Sequence, residues 1–364
     1  MIKKKKILIA VGGTGGHVFP GYNLAKYLEK NEFNVKLITD KRGSQYLKKI
    51  ENLKFTSFPS SPIISKNIFS LLFSIITIIY SILISFVFLI LNRPTAIFGM
   101  GGYASFPICL AASILKINLI IYENNLVIGK ANKFLLPFAK KLIVSFKDLE
   151  GVPKKYQEKI SETGNIIKEE IINYSRKIYF KSNNKMSVLV LGGSQAAKIF
   201  AEVLPNIFYE CKNQGINMKI YQHCLKSQNA ELKLFYEKYK IQHEIFNFNT
   251  NLIEYFSKVN LAITRAGSSM LAELTNANIP FIAVPLPSSA DNHQLKNAKF
   301  YENKSYSLLI EEKDLKFKLL KVIKNINKND SILNKITENQ RQHSDKNVFK
   351  NIDEILKEII NEKN

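Results

Sequence analysis

The sequence predicts an α/β chain of two similar domains, each a parallel sheet flanked by helices, and three observations predict it. An apolar run, Lys6-Ile7-Leu8-Ile9-Ala10-Val11, leads into Gly12-Gly13-Thr14-Gly15-Gly16-His17. A second run, Val188-Leu189-Val190-Leu191, leads into Gly192-Gly193-Ser194-Gln195-Ala196-Ala197 about half a chain later. The 364 residues, 46% of them hydrophobic, suffice for two ordinary cores. A strand, a glycine turn and a helix start present backbone N–H groups to an anion. Two such units imply paired Rossmann-like domains with a cleft between them. The expected divisions are 1–163, 164–340 and a C-terminal amphipathic helix over 341–364.

Along the first half, strands are expected at 6–11, 35–39, 55–58, 95–98, 119–122 and 142–145. Helices are expected at 20–30, 105–115 and 130–138. Strands are short apolar runs ending in Gly, Pro or Asn turns, and helices carry the longer apolar periodicity. Thr163-Gly164-Asn165 reads as the crossing between halves. The second half repeats the alternation, with strands at 188–191, 219–222, 244–246, 261–264 and 281–284. Helices are expected at 252–258, 270–275 and 347–360.

Between Lys66 and Arg93 there is no charged residue. As a helix, Ile68 to Leu91 would be about 36 Å long, enough to cross a hydrocarbon core of about 30 Å. Yet Ser70, Ser74, Thr77, Ser81 and Ser85 recur every three or four residues and so share one stripe. A small-residue stripe lets a helix lie close to a neighbour. Thr95 to Phe98 also reads as a strand of the first sheet, which a spanning helix would leave across the membrane. The expected arrangement is a helix seated by its stripe, with its outer face in the bilayer interface. A spanning helix is the alternative.

Lys and Arg total 52 against 30 Asp and Glu, a net charge of +22, and nearly all the cations are scattered Lys. That excess favours anionic surfaces. No helix-turn-helix, RNP-like aromatic pair or zinc spacing is present, so nucleic acid is not an expected partner. Cys109, Cys211 and Cys224 form no CxxC and no even framework, which points to a reducing compartment. No metal-ligand spacing occurs, and neither metal nor cofactor is expected.

The chemistry-bearing motifs lie at strand ends. Arg265-Ala266-Gly267-Ser268-Ser269 precedes a helix carrying Glu273. Gly267 admits a ligand to the backbone, Ser268 or Ser269 can cap the helix, and Glu273 can accept hydrogen bonds from a ribose diol. An ordinary cap with a solvated Glu explains the same residues. Asp291-Asn292-His293-Gln294 follows another strand end, and Glu123-Asn124-Asn125 could orient sugar hydroxyls or simply form a turn. His17, at a helix start, is suited to act as a general base or to bind phosphate.

Taken in order, Gly12 to Pro20, Gly99-Met100-Gly101-Gly102-Tyr103, Gly164-Asn165, Gly192-Gly193-Ser194-Gln195, Arg265 to Ser268 with Glu273, and Asp291 to Gln294 resemble the bacterial peptidoglycan glycosyltransferases of glycosyltransferase family 28. The resemblance runs from the first strand to about residue 300. It implies the two-domain GT-B fold and metal-independent, inverting transfer of N-acetylglucosamine (GlcNAc) from UDP-GlcNAc to the C4 hydroxyl of the muramyl sugar of lipid I, giving lipid II. It further implies donor contacts at Thr14, Gly15, Gly16, Asn125, Lys168, Ser194, Asn249, Ser268, Ser269, Met270, Leu271, Ala272, Glu273 and Gln294. Gly101, Gly102, Tyr103 and Glu123 would lie on the acceptor side, with His17 as the base. Anionic lipids of the cytoplasmic membrane face and other cell-wall synthesis proteins are the implied partners.

Lys168 stands where the family usually has Arg, which keeps the charge but loses the bidentate fork. Ala196, Lys198 and Asn249 are further departures. A related transferase acting on diacylglycerol, a UDP-GlcNAc 2-epimerase and a non-catalytic membrane scaffold remain as alternatives.

Overall fold

A computed structural model describes residues 4–48, 50, 54–61, 67–174, 185–193, 197–247 and 251–361. The chain divides into two units, Met1–Lys168 with Asp345–Asn364, and Glu169–Ser344.

The first unit runs β1 (Lys6–Ala10), α1 (Gly15–Lys30), β2 (Asn34–Thr39), α2 (Lys41–Leu47), β3 (Phe55–Ser57), α3 (Ile68–Asn92), β4 (Ala96–Gly99), α4 (Phe106–Ile114), β5 (Asn118–Glu123), α5 (Lys130–Leu135), β6 (Lys141–Val144) and β7 (Ile160–Glu162). Its seven strands are all parallel, in the order β3-β2-β1-β4-β5-β6-β7. Strands buried on both faces need unbroken apolar runs, as Ile7-Leu8-Ile9-Ala10 supplies.

The second unit runs α6 (Glu169–Ile172), β8 (Met186–Leu191), α7 (Lys198–Asn213), β9 (Met218–His223), α8 (Asn229–Lys238), β10 (Gln242–Phe246), α9 (Ile253–Phe256), β11 (Leu261–Thr264), α10 (Ser268–Asn276), β12 (Phe281–Ala283), α11 (His293–Asn303), β13 (Leu308–Leu309), α12 (Leu315–Lys328) and α13 (Ser331–Gln340). Its six parallel strands are ordered β10-β9-β8-β11-β12-β13.

The chain then returns to the first unit through α14 (Val348–Asn361), where Phe349 stacks on Tyr27 of α1 at 4.8 Å. The expected crossing at 163–165 shifts to Lys168. Asn165 N–H donates to the buried Asp345 carboxylate at 2.9 Å, and Ile166 N–H to the Tyr122 hydroxyl at 3.0 Å. These bonds hold the segment after Gly164 to the first unit.

Helix α1 begins at Gly15, five residues before the expected start at Pro20. Pro20 has no N–H to give the Gly16 carbonyl one turn back. Asn124 Nδ2 donates to that carbonyl instead, at 3.0 Å. A side chain just beyond β5 thus completes a helix that local sequence would end.

Helix α3 is opened by Asn67, whose side chain accepts from Phe69 N–H at 3.0 Å, and closed before Pro94. Ser74, Ser81, Ser85 and Leu89 are buried, and the helix packs on α4. Thr77 is half-buried, whereas Ser70 at the first turn is exposed. The strands on either side of α3 belong to one sheet. Ser85 Oγ is buried and makes no hydrogen bond among the described residues, so Ser85 contributes smallness rather than its hydroxyl. Ser85→Ala is therefore expected to leave stability unchanged, and Ser85→Leu to lower it by about 1–3 kcal/mol through overpacking. Denaturant midpoints of the two variants check this.

Candidate active site

In each sheet the strand order reverses once, and ligands of open α/β sheets bind beyond the carboxyl ends of the strands there. In the first unit the reversal falls between β1 and β4, where the loops Gly12–Gly16 and Met100–Tyr103 emerge side by side. In the second it falls between β8 and β11, the sources of Gly192-Gly193 and Arg265–Gly267.

Close backbone approach dictates the glycines of the first site. A Cβ on Gly12 would fall 2.7 Å from the Gly101 carbonyl oxygen and 2.8 Å from His17 Cδ2. Gly101 and Gly102 hold φ of +85° and +77°, and Cβ atoms there would lie 3.1 and 3.2 Å from the imidazole. The half-buried His17 ring is thus lodged between the two loops. Thr14 and Gly16 are exposed at the mouth of the first, with Gly15 buried beneath them. Tyr103 is half-buried under the guanidinium of Arg42, 4.4 Å from its ring centroid.

Glu123, expected on the acceptor side, has another task. Its buried carboxylate accepts from Gly129 N–H (2.9 Å) and Asn132 Nδ2 (3.0 Å) on one oxygen. The other oxygen accepts from Asn125 N–H (3.1 Å) and Asn125 Nδ2 (3.0 Å). Four donors use this carboxylate fully, so it orients Asn125 and the following loop instead of facing a sugar. Glu123→Gln would set an NH2 group against two of those donors. The expected loss is about 3 kcal/mol, read by urea unfolding.

In the second site, Gly193 takes φ +73° at the end of β8. Arg265 is a structural clasp. Its buried guanidinium donates to the Val284 and Pro285 carbonyls at 3.3 Å each, pairs with Glu312, and lies over Phe200. Asn297 Nδ2 holds the Ala266 carbonyl at 3.3 Å. The expected Ser cap of α10 is replaced by Gly267, which has no side chain to cover the first-turn N–H groups. Ser268 is buried, and Leu271 and Ala272 are wholly so, with their side chains in the core. Ser269, Met270 and Glu273 are half-buried.

Asp291 and Asn292 both adopt left-handed backbone, a conformation these two residue types tolerate, and this starts α11. Gln294 Oε1 accepts from Leu286 N–H at 3.0 Å, while its amide nitrogen makes no hydrogen bond among the described residues. Lys168 is half-buried. Ser194 and Asn249 lie outside the described residues, as does Ala196.

His223 and Cys224, adjacent in sequence at the end of β9, each have partners of their own among the described residues. Burial lowers the His223 pKa to about 4 against its Phe246 stack, and raises the Cys224 thiol to about 11, where it donates to Asn229 Oδ1.

Sequence reading missed Arg42, the role of Asn124, and Glu312. Asn124 directly follows β5 and Arg42 lies in the first turn of α2, just past β2, so the strand-end rule could have found them. Glu312 is 47 residues from Arg265, and no local signal joins them.

Comparison with known proteins agrees with this architecture. Residues 7–144 match the glycosyltransferase family 28 N-terminal domain, and residues 187–353 the family's C-terminal domain. A protein of Pelagibacter ubique (strain HTCC1062), named as UDP-N-acetylglucosamine–N-acetylmuramyl-(pentapeptide) pyrophosphoryl-undecaprenol N-acetylglucosamine transferase, is 37% identical over 98% of this chain and 99% of its own. A protein of the same name from Rickettsia felis is 35% identical over 88% of this chain and 91% of its own. The crystal structure of Acinetobacter baumannii MurG superposes with a TM-score of 0.76 at 22% identity, covering 98% of this chain and all of that one. With both units matched and relatives this similar along nearly the whole length, the chain belongs to glycosyltransferase family 28.

Proposed function

We propose that this chain transfers GlcNAc from UDP-GlcNAc to the C4 hydroxyl of the N-acetylmuramyl sugar of lipid I, with inversion, giving lipid II for peptidoglycan synthesis. The observation that carries the reading is the 37% identity, over nearly its full length, to a transferase named for this reaction.

In the step itself, His17 accepts the proton of the acceptor hydroxyl. The freed oxygen attacks C1 of GlcNAc, and the bond from C1 to the diphosphate breaks. UDP leaves with the electron pair. First-turn N–H groups of α10, behind the side-chain-free cap Gly267, stabilise its charge. Glu273 accepts from the ribose diol, and the unused Gln294 amide donates to the donor sugar. Thr14, Gly15, Gly16, Asn125, Lys168, Ser194, Asn249, Ser268, Ser269 and Met270 complete the donor contacts. Leu271 and Ala272 contribute through the backbone alone. Gly101, Gly102 and Tyr103 form the acceptor side, and Glu123 acts through Asn125.

The enzyme sits peripherally on the cytoplasmic face of the membrane. Support comes from the outer face of α3, where Phe69, Phe73, Ile76 and Leu83 are 76%, 69%, 64% and 61% exposed. Exposed Ile114, Phe134 and Phe138 on and beside α4 and α5 alternate with exposed Lys116, Lys133 and Lys140. Apolar side chains flanked by cations suit a bilayer interface with anionic headgroups.

The test is transfer of labelled GlcNAc from UDP-GlcNAc to a soluble lipid I analogue, with diacylglycerol in parallel. Label on the lipid I analogue alone is expected. Label on diacylglycerol, or release of UDP with neither acceptor modified, overturns the reading.

A further inference from the structure

Beside the first glycine loop lies a cation that the roles above leave unused. The Arg42 guanidinium lies over Tyr103, 4.4 Å from the ring centroid, and against Gly13, where a Cβ would fall 2.7 Å from one Nη and 2.8 Å from Nε. Its Nε faces Asp40 Oδ2 at 3.4 Å. The Asp40 carboxylate is itself buried and held by Gly43 N–H and Ser60 Oγ, at 2.8 Å each. Asp40 therefore fixes the direction of the guanidinium while taking only one of its N–H groups. The N–H groups on the two Nη atoms meet no acceptor among the described residues, and the side chain is 49% exposed.

A cation on a protein surface is ordinarily a mobile, solvated charge. Arg42 is instead held by an aromatic face on one side and a buried carboxylate on the other. A planar fork fixed in this way is pre-organised for bidentate hydrogen bonding to phosphate oxygens. The same anchor leads towards the apolar helix. Ser60 donates to Asp40, and its neighbour Ser61 donates to Ser74 of α3 at 2.9 Å. The fixed cation is thus tied, through adjacent residues, to the buried stripe of the helix whose opposite face is assigned to the membrane. A prenyl-anchored acceptor carries its diphosphate at the headgroup level, just outside the hydrocarbon.

We propose that Arg42 is an acceptor-binding residue whose guanidinium hydrogen-bonds the diphosphate of the lipid-linked acceptor. The inference rests on the transferase reading above. The donor also carries a diphosphate, so the experiment separates the two sources.

Arg42→Gln and Arg42→Lys are compared with the parent, using a lipid I analogue with a shortened prenyl chain on its diphosphate. Arg42→Gln is expected to raise the KM for this analogue about tenfold or more, while the KM for UDP-GlcNAc and inhibition by UDP stay within about twofold. Arg42→Lys recovers part of the loss, because it keeps the charge without the fork. An analogue with a neutral link in place of the diphosphate should bind parent and Arg42→Gln equally, a result that a merely structural role would not give. Calorimetric titration of the diphosphate analogue reads binding without turnover. If the parent binds it but transfers nothing, the transferase reading falls while the role of Arg42 is still measured. A rise in the UDP-GlcNAc KM instead would assign the cation to the donor. Unchanged binding in Arg42→Gln, or an equal loss for charged and neutral analogues, would overturn the proposal.

Discussion

His17→Ala is expected to lower kcat by roughly two to four orders of magnitude, with the KM for UDP-GlcNAc and the affinity for UDP close to the parent values. The imidazole is lodged against Gly12, Gly101 and Gly102, so the ring is positioned before any substrate arrives. A fixed ring loses little entropy in reaching the reacting hydroxyl. Under the proposed roles, removing it takes away proton acceptance but leaves the α10 loop and the donor contacts proposed for Glu273 and Gln294 intact. Rate and affinity should therefore separate. Steady-state kinetics with a soluble acceptor analogue checks this. An equal loss in kcat and in UDP affinity would make His17 a positioning group rather than the base.

Replacing Phe69, Phe73, Ile76 and Leu83 together with Ser is expected to release the protein from vesicles. A fully buried Leu, Ile or Phe is worth about 1.5–3 kcal/mol. At partial insertion, about 1 kcal/mol for each gives about 4 kcal/mol in all, or roughly a thousandfold weaker partitioning. These side chains are largely exposed, so the melting temperature should hold. Turnover of a water-soluble acceptor should hold as well, while turnover of a vesicle-embedded acceptor falls. Sedimentation with vesicles of anionic phospholipid measures the binding. Salt should weaken only the share contributed by Lys116, Lys133 and Lys140. Unchanged sedimentation of the fourfold variant would remove α3 as the anchor.

Much of the candidate site was legible because its signals are local. A glycine run after a buried strand places backbone donors at a helix start, and both runs emerge where strand order reverses. The seating of α3 was legible in the same way, since Ser74, Ser81 and Ser85 share a face by spacing alone. Other features depend on partners distant in sequence. The Asn124 side chain lets α1 begin at Gly15 despite Pro20. Arg265 was readable as part of a ligand loop, yet Glu312 and two carbonyls after β12 occupy its guanidinium. Glu123 reads equally well as a sugar ligand or as a loop anchor until the donors around it are known.

The sequence by itself determined that this is a parallel α/β chain with two glycine-loop units, because strand periodicity and glycine turns are properties of short segments. It also determined that α3 buries a narrow stripe and leaves an apolar face unpaired. Only the tertiary structure decided which polar side chains remain available to a substrate. Glu123 and Arg265 are consumed internally, whereas Arg42 and the Gln294 amide keep donors to spare. It also fixed the order in which the strands flanking α3 pair, β3 at one edge and β4 beside β1. Hydrogen-bond satisfaction and strand order depend on residues far apart in the chain, and no local pattern encodes them.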